Sequence, residues 1–424
     1  MLHRLHAAVL LSFTLICPGA AQNIAWLIDA EEAGNTRAVE GVWETTDGGM
    51  VMQQRNEFAS AITRFSPDGV ALWSNWYTVD AGSSLPGIDA IEVFPDGSSV
   101  IINRSTLTSI GAVLVVARID GDGNVAWSRR ITLSELWSTP RDFSIDRLSN
   151  GDLVIIGSEH PGVTCRLVIS ADGQVLVADR APYGFEWPAT ELFVNDQDEV
   201  TLLVTNGQPP GYGEDAVVRW DASGQEVWSV NTRVINGLWQ FGSSSGMAVD
   251  GQGDVYVSGQ QKGPGFTNND FPYMVKINSD GTLAWYRIYG TGNYTTGGSA
   301  PGRLLADGSL QFGLRRNNVF STNGEHLDSY YIDLVSPPAP PDGPQWQDNW
   351  FRARGTDMFI SGRRYREDPV FGFYWTWPFI YKGTLPEGDN CLWQRSQYAL
   401  FAVDTLVPLD YLLFQSNPPL HRSP

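Results

Sequence analysis

The residues best suited to chemistry in this chain have the types and spacing of a binding surface. Trp137 lies ten residues after Trp127, Trp187 ten after Val177, Trp239 eleven after Trp228 and Tyr294 nine after Trp285. Aromatic faces stack on sugar rings and other flat ligands and bring large contact area. A second group falls within residues 363–377, where Arg363, Arg364, Arg366, Trp375 and Trp377 alternate with Tyr365, Phe371, Phe373 and Tyr374. Arginine among aromatics is the composition of an interface hot spot. Three guanidinium groups in an acidic chain also suit an anionic ligand. The competing reading makes the first group plugs between repeats and the second a clasp that closes the fold.

Catalytic chemistry is weakly represented. Beyond the first residues the histidines are His160, His326 and His421, and neither His-Glu-x-x-His nor Cys-x-x-Cys occurs. A zinc site of standard spacing is therefore not expected, nor is a hydrolase triad. Asp120-Gly121-Asp122-Gly123-Asn124 opens like a calcium loop, but Arg129 and Arg130 stand where further acids are needed. The same letters serve an ordinary hairpin turn. A glycosidase needs only two carboxylates, and Glu135, Asp142, Glu186 and Glu191 lie in the same kind of connection as the aromatics. No catalytic residue, metal ligand or cofactor is assigned.

Composition narrows the class. With 42% hydrophobic and 12% aromatic residues the chain can bury a core. A net charge of −19 and a pI near 4.6 argue against nucleic acid and anionic membrane surfaces as partners. His3, Arg4 and His6, the apolar run at 7–16 and Gly19-Ala20-Ala21 read as an export signal cut after Ala21. The expectation is a secreted or periplasmic protein: signal peptide 1–21, one domain at 22–424, and no membrane insertion. Cys165 and Cys391 cannot staple so long a chain, so packing must stabilise it.

A repeat must position these residues. One unit is a short apolar strand, a polar turn with Gly, and Trp four residues after that Gly. It reads Phe65-Ser66-Pro67-Asp68-Gly69 to Trp73, and recurs from Ile119 to Trp127, Trp220 to Trp228 and Ile277 to Trp285. Gly173 begins a copy with Val177 in the Trp place, and Gly324 one with Asp328 there. A second hairpin alternates with it, at Asp47-Gly48, Asp96-Gly97, Asn150-Gly151, Gly253-Asp254 and Asp307-Gly308, with Gln197-Asp198 and Thr356-Asp357 as degenerate copies. Such turns between β-branched runs are strong hairpin signals. Each pair of hairpins supplies four strands in about 50 residues, the period of a β-propeller blade.

The Trp unit resembles the tryptophan-docking repeat of PQQ-type propellers, though Asp120 to Gly123 and Asp221 to Gly224 are one residue shorter than that repeat. It is closer to the loosely defined repeats of secreted bacterial propeller proteins. The resemblance covers residues 38–330. It implies an all-β fold of four-stranded antiparallel blades, seven in number, or eight if 379–393 forms its own hairpin. Asn23-Ile24-Ala25-Trp26 copies Asn124-Val125-Ala126-Trp127, so the N-terminal strand is expected to close the last blade beside residues 400–404, with 364–397 as an insertion. The tight turns share one face, and the variable loops of the other face carry binding. The reading is a monomeric, non-catalytic module for a carbohydrate or protein ligand. The alternative is a carbohydrate-active enzyme with carboxylates near the axis.

Overall fold

The structure is a computed structural model. It describes residues 24–29, 38–55, 60–77, 88–107, 111–132, 140–159, 163–180, 189–204, 215–232, 242–262, 270–290, 299–305, 307–314, 316–332, 345–354, 357–367, 374–384, 393–395 and 401–402. Two compact units are present, Met1–Ser138 with Tyr330–Ser396 and Thr139–Ser329 with Gln397–Pro424. The export signal, His160, His421, Cys391, Glu135 and Glu186 lie outside the described residues.

The described elements are all strands. After β1 (Ile24–Asp29), the first sheet is β2 (Ala38–Glu44), β3 (Met50–Arg55), β4 (Ser60–Phe65) and β5 (Ala71–Tyr77). The second is β6 (Ala90–Val93), β7 (Ser99–Leu107), β8 (Gly111–Ile119) and β9 (Val125–Thr132). The third is β10 (Pro140–Arg147), β11 (Leu153–Glu159), β12 (Val163–Ile169) and β13 (Val175–Arg180). The fourth is β14 (Ala189–Val194), β15 (Val200–Val204), β16 (Ala216–Trp220) and β17 (Glu226–Asn231). The fifth is β18 (Gly242–Val249), β19 (Val255–Lys262), β20 (Asp270–Ile277) and β21 (Leu283–Gly290), and the sixth is β22 (Ser299–Leu304), β23 (Leu310–Leu314), β24 (Arg316–Phe320) and β25 (His326–Ile332). In each, antiparallel strands follow in chain order.

The last sheet crosses the ends of the chain. Its order is β26 (Gln345–Arg354), β27 (Asp357–Glu367), β28 (Tyr374–Thr384) and then β1. The N-terminal strand does enter this sheet, but beside β28 and not beside residues 400–404. Most of 364–397 is therefore not an insertion, because it supplies the end of the second strand and the whole third strand. Residues 379–384 pair within this sheet, so no separate hairpin spans 379–393. The short β29 (Trp393–Arg395) lies along Tyr330–Ile332 of β25, and β30 (Phe401–Ala402) along Tyr289–Gly290 of β21.

The central strands of the fourth sheet read as unbroken apolar runs because both of its faces are covered. In β15, Leu202 packs toward the third sheet and Leu203 toward the fifth; in β16, Val218 and Val217 divide likewise. All five residues of β15 and of β16 are buried, while β17 alternates half-buried and exposed positions up to the buried Val230. Burying one such side chain is worth about 1.5–3 kcal/mol, and period two then disappears from the sequence.

Both hairpin types close with the same geometry. Ser66 donates its N–H to the Val70 carbonyl and Gly69 donates to Ser66; Leu148 and Asp152, with Gly151, repeat the pattern. This is a three-residue turn whose last residue must take a positive φ. At Gln197-Asp198 that residue is Asp198, with φ 61°. An aspartate tolerates this region better than most residues.

Candidate functional site

The tight-turn end of the sheets is a docking layer. From the first sheet to the second, Trp73 Nε1 donates to the Gly121 carbonyl at 2.8 Å, and Asn75 Nδ2 and Tyr77 Oη both donate to Gly123 at 2.8 and 2.9 Å. The indole lies so close that a Cβ on Gly123 would stand 2.7 Å from it. From the fourth to the fifth, Trp228 Nε1 donates to the Ser279 carbonyl at 3.0 Å. From the fifth to the sixth, Trp285 covers Gly324 and Tyr289 Oη donates to the Gly324 carbonyl at 2.7 Å. A tyrosine four residues after Trp thus serves twice, at Tyr77 and Tyr289.

A cation stands opposite each of these tryptophans on the neighbouring strand. The pairs are Arg64 with Trp73, Arg118 with Trp127, Arg219 with Trp228 and Lys276 with Trp285. The last sheet repeats it across the chain ends, with Lys382 opposite Trp26 and the same one-residue register shift before the Trp. Arg219 Nη2 donates to the Gly253 carbonyl at 2.7 Å, so it ties the other set of turns as well. Burial lowers the pKa of Arg219. Burial would also depress Lys276, but hydrogen bonds to Asp254 and Tyr256 raise it, and Lys276 Nζ lies 2.7 Å from Asp254.

The third sheet departs from this rule on both strands. Val177 stands opposite Val168, and Arg166 takes over the docking. Its guanidinium lies where a Cβ of Gly224 would be, Nη1 donates to the Ser223 carbonyl at 2.9 Å, and Asp179 holds it from the adjacent strand at 2.8 Å.

Carboxylates join the first strands of successive sheets. Asp146 accepts the Val194 N–H at 2.7 Å and Glu191 accepts the Met247 N–H at 2.6 Å. These N–H groups belong to edge strands and need acceptors. Burial raises the pKa of Asp146, against the N–H groups of Arg147 and Val194 that favour its anion. Asp142 and Glu191 therefore lie on strands and not in connections. Asp142 falls in a bulge between Arg141 and Ser144, and β2, β14, β18, β22 and β26 carry comparable irregularities. Gly242-Ser243-Ser244-Ser245-Gly246 has the letters of a nucleophile elbow, but it runs along β18 with a bulge after Ser244. An elbow needs a strand-to-helix turn.

Of the expected binding residues, Trp137, Trp187, Trp239 and Tyr294 lie outside the described residues. The others meet on β27 and β28. Arg363 is opposite Pro378, Arg364 opposite Trp377, Arg366 opposite Trp375 and Tyr365 opposite Thr376. Strand alternation puts Arg364, Arg366, Trp375 and Trp377 on one face and Arg363 on the other. Trp346, passed over in the sequence, is opposite Arg364 on β26 and shares the first face.

The β27–β28 ladder has eleven residue pairs. Among the described residues, β26 pairs with β27 as far as Tyr365 and β1 with β28 as far as Phe379. Among the described residues, no group of three His, Cys, Asp or Glu could hold a metal ion. No helix of the described residues is long and apolar enough to cross a membrane.

No protein-family model and no curated protein sequence matches this chain. Similar solved structures include the β-propeller domain of the Trilobed protease from Pyrococcus furiosus, at 12% identity over 81% of this chain and 96% of that one, TM-score 0.40. A protein of unknown function from Dyadobacter fermentans DSM 18053 is 12% identical over 87% of this chain and 100% of its own, TM-score 0.42. Puromycin hydrolase is 12% identical over 82% of this chain and 54% of its own, TM-score 0.44. The chain is an all-β repeat protein of four-stranded antiparallel sheets.

Proposed function

We propose that this chain is a secreted or periplasmic, seven-bladed β-propeller of the PQQ-like repeat type, closed by its N-terminal strand. It acts as a monomeric, non-catalytic binding module through the end of the blades away from the tight turns. The observation that carries this reading is the β27–β28 ladder of the last sheet, which brings Arg364 opposite Trp377 and Arg366 opposite Trp375. The tight-turn end is the poorer candidate, because its carbonyls and carboxylates are engaged in docking neighbouring sheets. Trp137, Trp187, Trp239 and Tyr294 are the further candidates that the sequence offers to this reading. The ligand is a carbohydrate or a protein.

A second reading, a carbohydrate-active enzyme, is favoured by Asp142 in its strand bulge, since bulges re-aim side chains and recur beside active sites. A panel of soluble polysaccharides, followed for tryptophan emission and reducing-end release in the same tubes, separates the two. An emission shift lost in Trp377→Ala, without new reducing ends, supports the binding module. New reducing ends that vanish in Asp142→Asn support the enzyme.

A further inference from the structure

We propose that the junction between the fifth and sixth sheets binds a small oxyanion through Trp285 Nε1 and Arg287 Nε. The site is separate from the binding surface proposed above and does not depend on it. Two junctions share one docking triad. Trp73, Asn75 and Tyr77 on β5 stand four, six and eight residues after Gly69, and Trp285, Arg287 and Tyr289 on β21 stand at the same intervals after Gly281. Strand alternation puts each triad on one face. In the first sheet every member donates to a carbonyl of the next turn, at 2.8, 2.8 and 2.9 Å. In the fifth, only Tyr289 makes so short a bond, at 2.7 Å, while Arg287 Nη1 reaches the Gly324 carbonyl at 3.4 Å. Trp285 Nε1 and Arg287 Nε are buried and have no acceptor.

The indole is set differently at this junction. Trp73 and Trp228 lay Cδ2, where the two rings fuse, over the glycine of the next turn, whereas Trp285 lays Cη2 and Cζ3 of its six-membered ring there. The five-membered ring, which carries Nε1, is thereby turned away from Gly324. Arg287 Cδ also covers that glycine, 2.9 Å from where a Cβ would stand. The guanidinium lies 5.6 Å from the Trp285 ring centroid, so the two unmatched donors are neighbours, and Trp285 is only 9% exposed.

Charge selects the ligand. Arg64, Arg166 and Lys276 each hold a carboxylate, at 2.8, 2.8 and 2.7 Å. Lys276, opposite Trp285, is thus matched by Asp254. Among the described residues, no carboxylate pairs with the half-buried Arg287. Water can satisfy a buried N–H, but a guanidinium withdrawn from solvent without a counter-charge favours an anion. An oxyanion has oxygens enough for both donors and makes charge-assisted bonds with the arginine. The net charge of −19 acts against a large polyanion, which leaves a small one held by short-range contacts.

The test follows the indole N–H resonances of the full protein by NMR during titration with inorganic phosphate, and in a second arm with acetate, with chloride holding the ionic strength constant. Trp285→Phe identifies the resonance. Arg287→Asn copies the triad of the first sheet, so it keeps a donor for the turn carbonyl and removes the charge. A saturable shift of the Trp285 resonance, with affinity about tenfold or more weaker in Arg287→Asn, supports the proposal. Saturation by phosphate alone assigns a tetrahedral oxyanion, and saturation by acetate as well extends the site to carboxylates. A drift linear in anion concentration, no shift in either arm, or equal affinity in Arg287→Asn overturns it. Calorimetric titration of the wild type and Arg287→Asn with phosphate gives the same decision without the Trp285 variant.

Discussion

Arg219 and Trp228 face each other across β16 and β17 with the guanidinium 5.0 Å from the indole centroid, and both donate to the Ser279 carbonyl of the next sheet, at 3.1 and 3.0 Å. One carbonyl thus takes a cation and an indole held against each other. The pair makes the docking tryptophan part of a preformed unit, so that less side-chain freedom is lost when the sheets meet.

Trp228→Ala should destabilise the protein by about 2–3 kcal/mol, less than a fully buried tryptophan because the ring is partly exposed. Arg219→Met should lose two carbonyl contacts. A double-mutant cycle read by denaturant unfolding should give a coupling of about 0.5–1 kcal/mol between them. Strict additivity would mean that they dock independently.

Arg166 docks the third-to-fourth junction without the tryptophan that serves the first-to-second, fourth-to-fifth and fifth-to-sixth junctions. Its partner Asp179 is half-exposed, so salt should act on this junction. The destabilisation caused by Arg166→Met should shrink as salt rises from about 0.05 M to about 1 M, while that of Trp228→Ala should hold. A salt-independent Arg166 effect would place its value in packing over Gly224.

Asp198 combines a left-handed backbone with a docking acceptor. Its carboxylate takes the Ser149 N–H at 2.6 Å and the Ser149 hydroxyl at 2.9 Å. Asp198→Gly should recover backbone strain of about 1 kcal/mol but lose the contact, giving a small net change. Asp198→Ala loses on both counts and should be less stable than Asp198→Gly. Thermal unfolding of the pair checks the order.

Asp146 gives a pH prediction with the opposite sign from the turn aspartates. Its folded pKa is raised, so the native state is penalised while it is ionised and the penalty fades as pH falls through that pKa. Asp146→Asn keeps an oxygen for the Val194 N–H. It should be more stable than the wild type at pH 7, with the difference gone by about pH 4, near the unfolded value. Asp47 is held low first by the Thr45 hydroxyl, and Asp307 first by Ser309. They stabilise above the unfolded pKa, and that contribution is lost as pH falls through their folded pKa values. Unfolding midpoints across this range test both signs.

The repeat was readable because turn chemistry is local: Asp68-Gly69 and Asn150-Gly151 announce their hairpins without help from the rest of the chain. The cations nine residues before each Trp were not, since Arg64 and Trp73 become neighbours only once the β4–β5 register exists. Tyr77 and Tyr289 escaped for the same reason, because their acceptors lie on another sheet. The sequence reading of 364–397 as an insertion fails because β1, the strand that pairs with β28, comes from the other end of the chain. Lys382 opposite Trp26 carries the signal that would have placed it. For the candidate site, the arginines and tryptophans of 363–377 were legible by composition, but their division between two faces needed the strand register.

The most direct measurement is amide hydrogen exchange of the full protein with and without a polysaccharide of the panel that shifts its tryptophan emission. The account predicts slowed exchange within the paired strands β27 and β28, and unchanged exchange at the tight turns around Gly123 and Gly281. Protection at those turns instead, or none anywhere at concentrations that saturate the emission shift, would contradict a binding site on the last sheet.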